Sequence, residues 1–178
     1  FPKAETVVFI DEKAYFNNPK GTHLCNSVNN IRVAMGNTGI PFDLCMTEDA
    51  ESVLHKYKFA VFTAVLPSES GKAALEMCRQ MNIPFIQPDS EKTYIPTAEL
   101  RDLLVSEGIH CYNPDGNVVY CGGGYIGIHS VNDGIVNITL PEKYKVRQVL
   151  GTGFTECKTE LISLDMKKHD TVLFELLD

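Results

Sequence analysis

Apolar and polar positions follow two different patterns along the chain, one in the first 108 residues and another after them. In the first part, short apolar runs rich in β-branched and aromatic residues are separated by longer segments of mixed character. Unbroken apolar runs of this kind are typical of strands that are buried on both faces of a parallel sheet. Four such strands are predicted, at residues 6–10, 42–46, 59–64 and 84–86.

The segments between these strands have the spacing of amphipathic helices. Intervals of four, three and four residues separate a set of apolar residues that share one helical face: Leu24, Val28, Ile31 and Met35. Further helices are predicted at residues 48–56 (with Thr47 as the cap), after Ser68, and at 97–106. Strands that alternate with helices through short connections form parallel sheets with right-handed crossovers. We therefore predict an α/β fold of the flavodoxin-like type for residues 1–108.

After Gly108 the pattern changes to short strands separated by turn residues. The segments 113–116 and 132–134 carry strong turn signals, Asn-Pro-Asp-Gly and Asn-Asp-Gly. Six strands are predicted: 118–121, 125–129, 135–140, 146–150, 160–164 and 171–176. Many short strands without a helix-length segment indicate a compact β-sandwich or a partial barrel. We predict a small antiparallel β-sandwich domain at residues 109–178, joined to the first domain without a Ser/Gly-rich linker.

Charge and composition exclude several classes of partner. The formal net charge is −7, and the longest basic cluster is Lys167-Lys168, so nucleic-acid binding is not expected. No apolar run reaches the ~18 residues that a membrane helix needs. The first residues lack both a Met and the apolar core of a signal peptide, which favours a piece of a longer protein. The six cysteines form no C-x-x-C pair, so we expect reduced thiols in a cytoplasmic protein.

The first candidate position for a nucleophile is the turn between the third strand and the next helix. A catalytic Cys at such an elbow is the arrangement of class I glutamine amidotransferases. Residues 63–68 read Thr-Ala-Val-Leu-Pro-Ser and contain no Cys, while Cys78 falls on the apolar face of the following helix. Ser68, beside Pro67, is interpreted mainly as a helix cap. No catalytic residue is predicted.

Metal and phosphate sites are also not predicted. His110, Cys111, Cys121 and His129 lie near one another in sequence, but zinc sites usually contain closer ligand pairs. The glycines at 122–124 lie between two strands, whereas a phosphate loop precedes a helix. They are interpreted as a hairpin turn, and no cofactor is expected.

Four residues are candidates for binding a small ligand: Asp11, Glu12, Tyr15 and Ser68. Asp11 and Glu12 end the first strand, and ligands of parallel sheets bind beyond the carboxyl ends of the strands. Tyr15 follows in the same loop, and Ser68 opens a helix with free N–H donors. The two acids are suited to general acid–base work, but the alternative is that one caps the loop and the other is solvated.

Several short motifs share the order found in one enzyme family. They are Asp11-Glu12 after the first strand, residues 39–43 (Gly-Ile-Pro-Phe-Asp), Tyr57-Lys58 and Leu66-Pro67. Over about residues 5–88 the chain resembles the middle domain of family 42 β-galactosidases. This resemblance implies an amidotransferase-like domain that has lost its nucleophile and serves oligomerisation beside a catalytic (β/α)₈ barrel. The strands after Val118, ending in Thr171-Val172-Leu173-Phe174, resemble the small β modules that end bacterial glycosidase chains.

The resemblance implies a non-catalytic C-terminal region of a β-galactosidase-type glycoside hydrolase. The expected partners are other copies of the chain and an upstream catalytic barrel, with carbohydrate as a further candidate. The alternative is a free-standing flavodoxin-like domain that binds a small ligand. A third hypothesis, a divergent amidotransferase-class hydrolase, requires a nucleophile that the sequence does not offer.

Overall fold

The structure, a computed structural model, describes residues 1–16, 22–90 and 93–177, with the backbone alone described for 22–26. The chain divides into two compact units. The α/β unit comprises Glu5–Met35 and Phe42–Ile109. The β unit comprises Phe1–Ala4, Gly36–Pro41 and His110–Asp178. Two short segments from the first 41 residues thus belong with the strands that follow residue 109.

The α/β unit contains a parallel sheet of four strands in the order β2-β1-β3-β4. The strands are β1 (Thr6–Ile10), β2 (Phe42–Met46), β3 (Phe59–Phe62) and β4 (Phe85–Ile86). In β1 and β3 nearly every side chain is buried, whereas β2 is half exposed at the edge of the sheet. The predicted parallel α/β arrangement is confirmed.

Five helices are described in the α/β unit: α1 (Glu12–Phe16), α2 (Thr22–Gly36), α3 (Ala50–Val53), α4 (Glu69–Gln80) and α5 (Thr97–Ser106). The helix predicted at 48–56 is instead the single turn α3 between two 3₁₀ turns, Thr47–Asp49 and Leu54–Lys56. So short a segment gains little from α-helical hydrogen bonding, and 3₁₀ turns are frequent at such ends. None of the described helices has the length and hydropathy needed to cross a membrane.

One core of the α/β unit lies between the sheet and helices α3 and α4. Its buried members come from β1, β3, the segment around α3 and the apolar face of α4: Val7, Phe9, Ala50, Leu54, Ala60, Phe62, Ala74, Leu75 and Cys78. Phe9 and Phe62 are adjacent in the register, and their ring centroids are 5.4 Å apart. This packing fixes the carboxyl ends of β1 and β3 side by side.

The β unit contains five antiparallel strands in the order β5-β6-β9-β7-β8. They are β5 (Val118–Gly122), β6 (Tyr125–His129), β7 (Gly134–Leu150), β8 (Cys157–Met166) and β9 (Thr171–Leu177). The two strands predicted at 135–140 and 146–150 are both parts of β7. A register shift between Thr139 and Tyr144 absorbs the intervening Pro141, because a bulge tolerates a residue without an N–H donor.

All five strands of the β unit line one core. Alternate residues are buried in one cluster, which includes Val119 of β5 and Leu164 of β8, the two edge strands. A single sheet brings both of its edges to one core only by curving around it, and the bulge in β7 increases that curvature. The predicted antiparallel β module is confirmed, and its five strands form one hydrogen-bonded sheet.

Candidate functional site

Asp11 lies at the carboxyl end of β1, and both of its carboxylate oxygens accept hydrogen bonds from the backbone. Oδ1 accepts from the N–H of Ala14 at 2.9 Å, which is the geometry of a cap at the start of α1. Oδ2 accepts from the N–H of Ser68 at 2.8 Å, in the loop that follows β3. Asp11 is buried. Its carboxylate therefore joins the ends of two neighbouring strands.

Ser68 caps α4 and completes this connection. Its Oγ accepts a hydrogen bond from the N–H of Gly71 at 3.3 Å, and its carbonyl accepts one from Lys72 at 2.9 Å. The interpretation of Ser68 as a cap is confirmed. A Cβ atom on Gly71 would lie 2.2 Å from Oδ2 of Asp11, so the first turn of α4 approaches the carboxylate only because residue 71 is glycine.

Glu12 and Tyr15 lie on α1 and are exposed to solvent. The Tyr15 ring packs edge-on against Phe16, with centroids 5.5 Å apart. Among the four predicted site residues, the described hydrogen bonds join the carboxylate of Asp11 to the N–H of Ser68 and the N–H of Tyr15 to the carbonyl of Asp11. The loop predicted at Tyr15 is instead helix α1, and Asn17 and Asn18, which follow it, lie outside the described residues.

A cluster of polar side chains adjoins Ser68, and the sequence pattern did not select it as a site. Ser70 Oγ lies 2.9 Å from Ser68 Oγ and 3.1 Å from Thr47 Oγ1, and it donates to Glu48 Oε1 at 3.2 Å. Lys13 Nζ lies 3.2 Å from the same Glu48 oxygen. A backbone hydrogen bond, followed by those from Lys13 and Ser70, lowers the pKa of Glu48.

This cluster links the loops that follow β1, β2 and β3. Thr47 directly follows β2, and its hydroxyl contacts Ser70 and Glu48, so it is not the helix cap that its position predicts. In the sequence only position indicates this cluster, because its hydroxyl and acidic residues follow strands whose carboxyl ends meet at one edge of the sheet.

The elbow between β3 and α4 is fixed by hydrogen bonds to its backbone. Gln87 Nε2 donates to the carbonyl of Ala64 at 2.9 Å, and Ser27 Oγ donates to the carbonyl of Thr63 at 2.7 Å. Cys78 is buried within α4, and burial raises the pKa of its thiol to about 11. A thiol of that pKa is almost wholly protonated at neutral pH, so it is a poor nucleophile.

The described cysteines are all free thiols: Cys45, Cys78, Cys111, Cys121 and Cys157. The side chain of Cys25 lies outside the described part of the chain. Within that part, no three His, Cys, Asp or Glu side chains are grouped so as to hold a metal ion. His110 contacts the carbonyl of Thr139 at 2.8 Å, and His129 contacts the hydroxyl of Thr171 at 2.8 Å.

The glycines at 122–124 form the turn between β5 and β6, as predicted. Gly123 and Gly124 have φ values of 60° and 83°, which residues other than glycine rarely adopt. The turn connects two antiparallel strands and is not followed by a helix. This geometry is that of a hairpin and not that of a phosphate loop.

The chemistry available to Asp11 follows from its partners. Each Asp11 oxygen accepts a hydrogen bond within the protein, and the carboxylate is buried, so little of it is open to a substrate. The carboxylate lies beyond the carboxyl ends of two neighbouring parallel strands. The geometry of Asp11 and Ser68 therefore supports a structural role in joining β1, β3 and α4.

Comparison with known proteins relates this fold to part of a larger enzyme. No protein-family model matches the chain, and no curated protein matches it in sequence. Among solved structures, a β-galactosidase from Bacillus circulans sp. alkalophilus matches 97% of this chain and 41% of its own, with a TM-score of 0.66 and 11% identity. The exo-carrageenase GH42 from Bacteroides ovatus matches 98% of this chain and 29% of its own, with a TM-score of 0.58 and 12% identity.

A third solved structure is Gan42B, a GH42 β-galactosidase from G. stearothermophilus, with a TM-score of 0.57 and 11% identity over 98% of this chain and 40% of its own. The chain thus spans less than half the length of each of these enzymes. At such low identity the likeness concerns the fold alone. The fold of this chain is related to that of one portion of GH42 β-galactosidase chains.

Proposed function

We propose that this chain is a non-catalytic region of a GH42-related glycoside hydrolase, where it supports a catalytic barrel and contributes to assembly. The observation that carries the proposal is the likeness to one portion of two β-galactosidase chains across nearly all of this chain. A (β/α)₈ barrel alone takes about 250 residues, more than the whole of this chain. The barrel would therefore be encoded elsewhere in the parent protein.

The α/β unit is, in this proposal, a flavodoxin-like and amidotransferase-like domain without a nucleophile. Its strand order β2-β1-β3-β4 agrees with the first four strands of the flavodoxin order. The elbow after β3 carries no Cys, and Asp11 is held by two backbone N–H groups. Both features favour support of a neighbouring domain over catalysis.

Self-association through edge strand β2 is the proposed means of assembly. Leu44 and Met46 are exposed on this regular strand, and exposed apolar edges tend to pair with another chain. An antiparallel pair of β2 strands centred on Leu44 would place Asp43 opposite Cys45 of the second copy, so no like charges would meet. The occupant that we propose for this edge is therefore a second copy of the chain.

Catalysis by the chain itself is tested by assaying it with nitrophenyl galactosides and with glutamine. We expect no turnover above the buffer background. Turnover that disappears in Cys78→Ala or Glu12→Gln would contradict the proposal. The parent gene gives an independent test: a reading frame with an upstream barrel supports the proposal, whereas one without a barrel favours the free-standing ligand-binding alternative.

Assembly is tested by light scattering on the full-length parent at tens of micromolar. We expect an oligomer that Leu44→Lys weakens, because a buried Lys at the centre of the β2 pair would be left without a partner. Val105→Lys is the matched control, since Val105 is also exposed but lies on α5. A monomeric parent would contradict the assembly role.

A further inference from the structure

The outer face of the β sheet carries an apolar row that crosses four strands. Tyr120 of β5 pairs with Gly127 of β6, Gly127 pairs with Leu173 of β9, and Leu173 pairs with Leu150 of β7. Paired residues of antiparallel strands share a face, so these residues lie in line over about 14 Å. Tyr120 is 64% exposed and Leu150 is 53% exposed, which leaves both ends of the row open to solvent.

Hydrogen-bonding side chains border this row on one side. Tyr125, which is 41% exposed, donates to Glu175 Oε1 at 3.5 Å. Arg147 donates to Glu175 Oε2 through Nε at 3.0 Å and also through Nη2. The three residues follow the register Tyr125–Glu175–Arg147 across β6, β9 and β7. They form a polar row that lies parallel to the apolar row and is held by hydrogen bonds among its own members.

The other border of the apolar row is also polar. His129 of β6 pairs with Thr171 of β9, and its Nδ1 lies 2.8 Å from the Thr171 hydroxyl. Between the two borders, Gly127 contributes no side chain. Leu173 Cδ1 would lie 3.5 Å from a Cβ atom built there, at ordinary contact distance. Gly127 is itself buried, and the Leu173 side chain lies beside it in the row.

We propose that this outer face, the row Tyr120–Gly127–Leu173–Leu150 with its polar borders, binds a neutral oligosaccharide. A tyrosine ring offers an apolar surface on which the C–H groups of a sugar ring can stack. Hydroxyl groups around a sugar ring both donate and accept hydrogen bonds. The borders provide matching groups, because Arg147, Glu175, Tyr125 and His129 combine donors with acceptors.

Charge complementarity favours a neutral ligand over an anionic one. Arg147 is paired with Glu175, and Lys145 on the same face lies 2.7 Å from Glu156. These two positive charges are thus balanced by carboxylates, and a phosphate or sulfate group beside them would meet both signs. A sulfated sugar or a nucleic acid needs unbalanced Lys and Arg. The inference goes beyond the proposed function, which supplies only the choice of a galactan as one probe.

The test is titration of the 178-residue chain with β-1,4-galactotetraose and cellotetraose, followed by NMR amide shifts and calorimetry. We expect saturable shifts centred on Gly127 and Leu173 with at least one of these neutral sugars. Tyr120→Ala should weaken binding about tenfold, the equivalent of one lost aromatic contact. Tyr94→Ala, an exposed tyrosine of the α/β unit, is the matched control.

Three results would overturn the proposal. The first is the absence of shifts with both neutral sugars up to about 10 mM, a concentration that detects millimolar affinity. The second is stronger binding of a sulfated carrageenan tetrasaccharide than of either neutral sugar. The third is a change of oligomeric state in Tyr120→Ala, which would make the face a protein interface. None of these results depends on the parent's barrel or on β2, so the proposed function can fail or hold separately.

Discussion

The carboxylate of Asp11 accepts a hydrogen bond from the backbone N–H of Ser68 at 2.8 Å, although the two residues lie 57 positions apart. They follow β1 and β3, which are adjacent in the sheet. In open parallel sheets the crevice at this edge is the usual place for a ligand. Here the carboxylate of Asp11 accepts the hydrogen bond from the N–H of Ser68 that a bound anion would otherwise accept.

Asp11→Ala is expected to lower the free energy of unfolding by about 2–3 kcal/mol, because it removes a charged acceptor and leaves two N–H groups without it. Urea unfolding followed by circular dichroism measures this change. Glu12→Ala, next to it but exposed, should stay within about 0.5 kcal/mol of the unmodified chain. Equal losses in the two variants would contradict the structural role of Asp11.

Much of the α/β unit could be predicted because its signals are local. Apolar runs gave β1 and β3, and the Pro67-Ser68 pair gave the start of α4, where Ser68 is the cap. Asp11 could be placed at the sheet edge for the same reason, since the position follows from strand direction alone. Its partner could not be predicted, because the hydrogen bond to Ser68 depends on the close approach that Gly71 permits.

Features of the β unit that depend on contacts between distant residues could not be predicted from the sequence pattern. The division of β7 into two predicted strands follows from Pro141, which normally breaks a strand but here lies at a register shift. The curvature of the sheet results from packing among all five strands, which share one core. No local pattern indicates that Gly36–Pro41 belongs with residues after 109, because that association depends on contacts between distant segments.

Gly39→Ala is expected to destabilise the β unit strongly. Gly39 has a φ of 74°, and a Cβ atom there would lie 1.5 Å from the carbonyl oxygen of Asn113. Gly116 has a φ of 88° with open space around it. Gly116→Ala should therefore lower the free energy of unfolding by only about 1–2 kcal/mol, the cost of the left-handed conformation for alanine. Thermal unfolding compares the two variants. A loss for Gly39→Ala no larger than that for Gly116→Ala would argue against the close packing of the 36–41 segment.

Cys78 is expected to resist alkylation in the folded chain at pH 8, whereas exposed Cys157 reacts readily. Burial raises the pKa of Cys78 to about 11, so its thiolate is scarce and its sulfur inaccessible. Because the folded pKa is above the unfolded one, its contribution to stability is complete below pH 9 and is lost as pH rises toward 11.

Mass spectrometry after timed treatment with iodoacetamide gives the labelling rate of each cysteine. Addition of urea above the unfolding midpoint is the control, and it should make the two cysteines react at similar rates. Rapid modification of Cys78 without denaturant would contradict its burial within α4. Cys78→Ser should reduce the loss of stability between pH 9 and 11 relative to the unmodified chain, since a serine hydroxyl does not titrate there.

The β unit depends on chain segments that lie far from it in sequence. The carbonyl of Gly39 accepts from the N–H of Tyr112 at 3.0 Å and from the N–H of Asn113 at 3.4 Å. Tyr112 and Asn113 are both buried, so neither N–H could turn to water if the acceptor were removed. In the second such segment, Phe1–Ala4, the ring of Phe1 stacks on Tyr144 with centroids 6.2 Å apart.

We therefore expect a fragment of residues 109–178 to be much less stable than the same residues in the full chain, although it contains all five strands. Chemical-shift dispersion and thermal unfolding of the fragment measure this. Residues 36–41 joined to the fragment's N-terminus through a flexible Gly/Ser linker should restore part of the stability, because the linker lets Gly39 reach Tyr112. The same fusion with Gly39→Ala is the matched control and should not. A bare fragment that unfolds as cooperatively as the full chain, at the same temperature, would show that the 36–41 segment contributes nothing to the fold of the β unit.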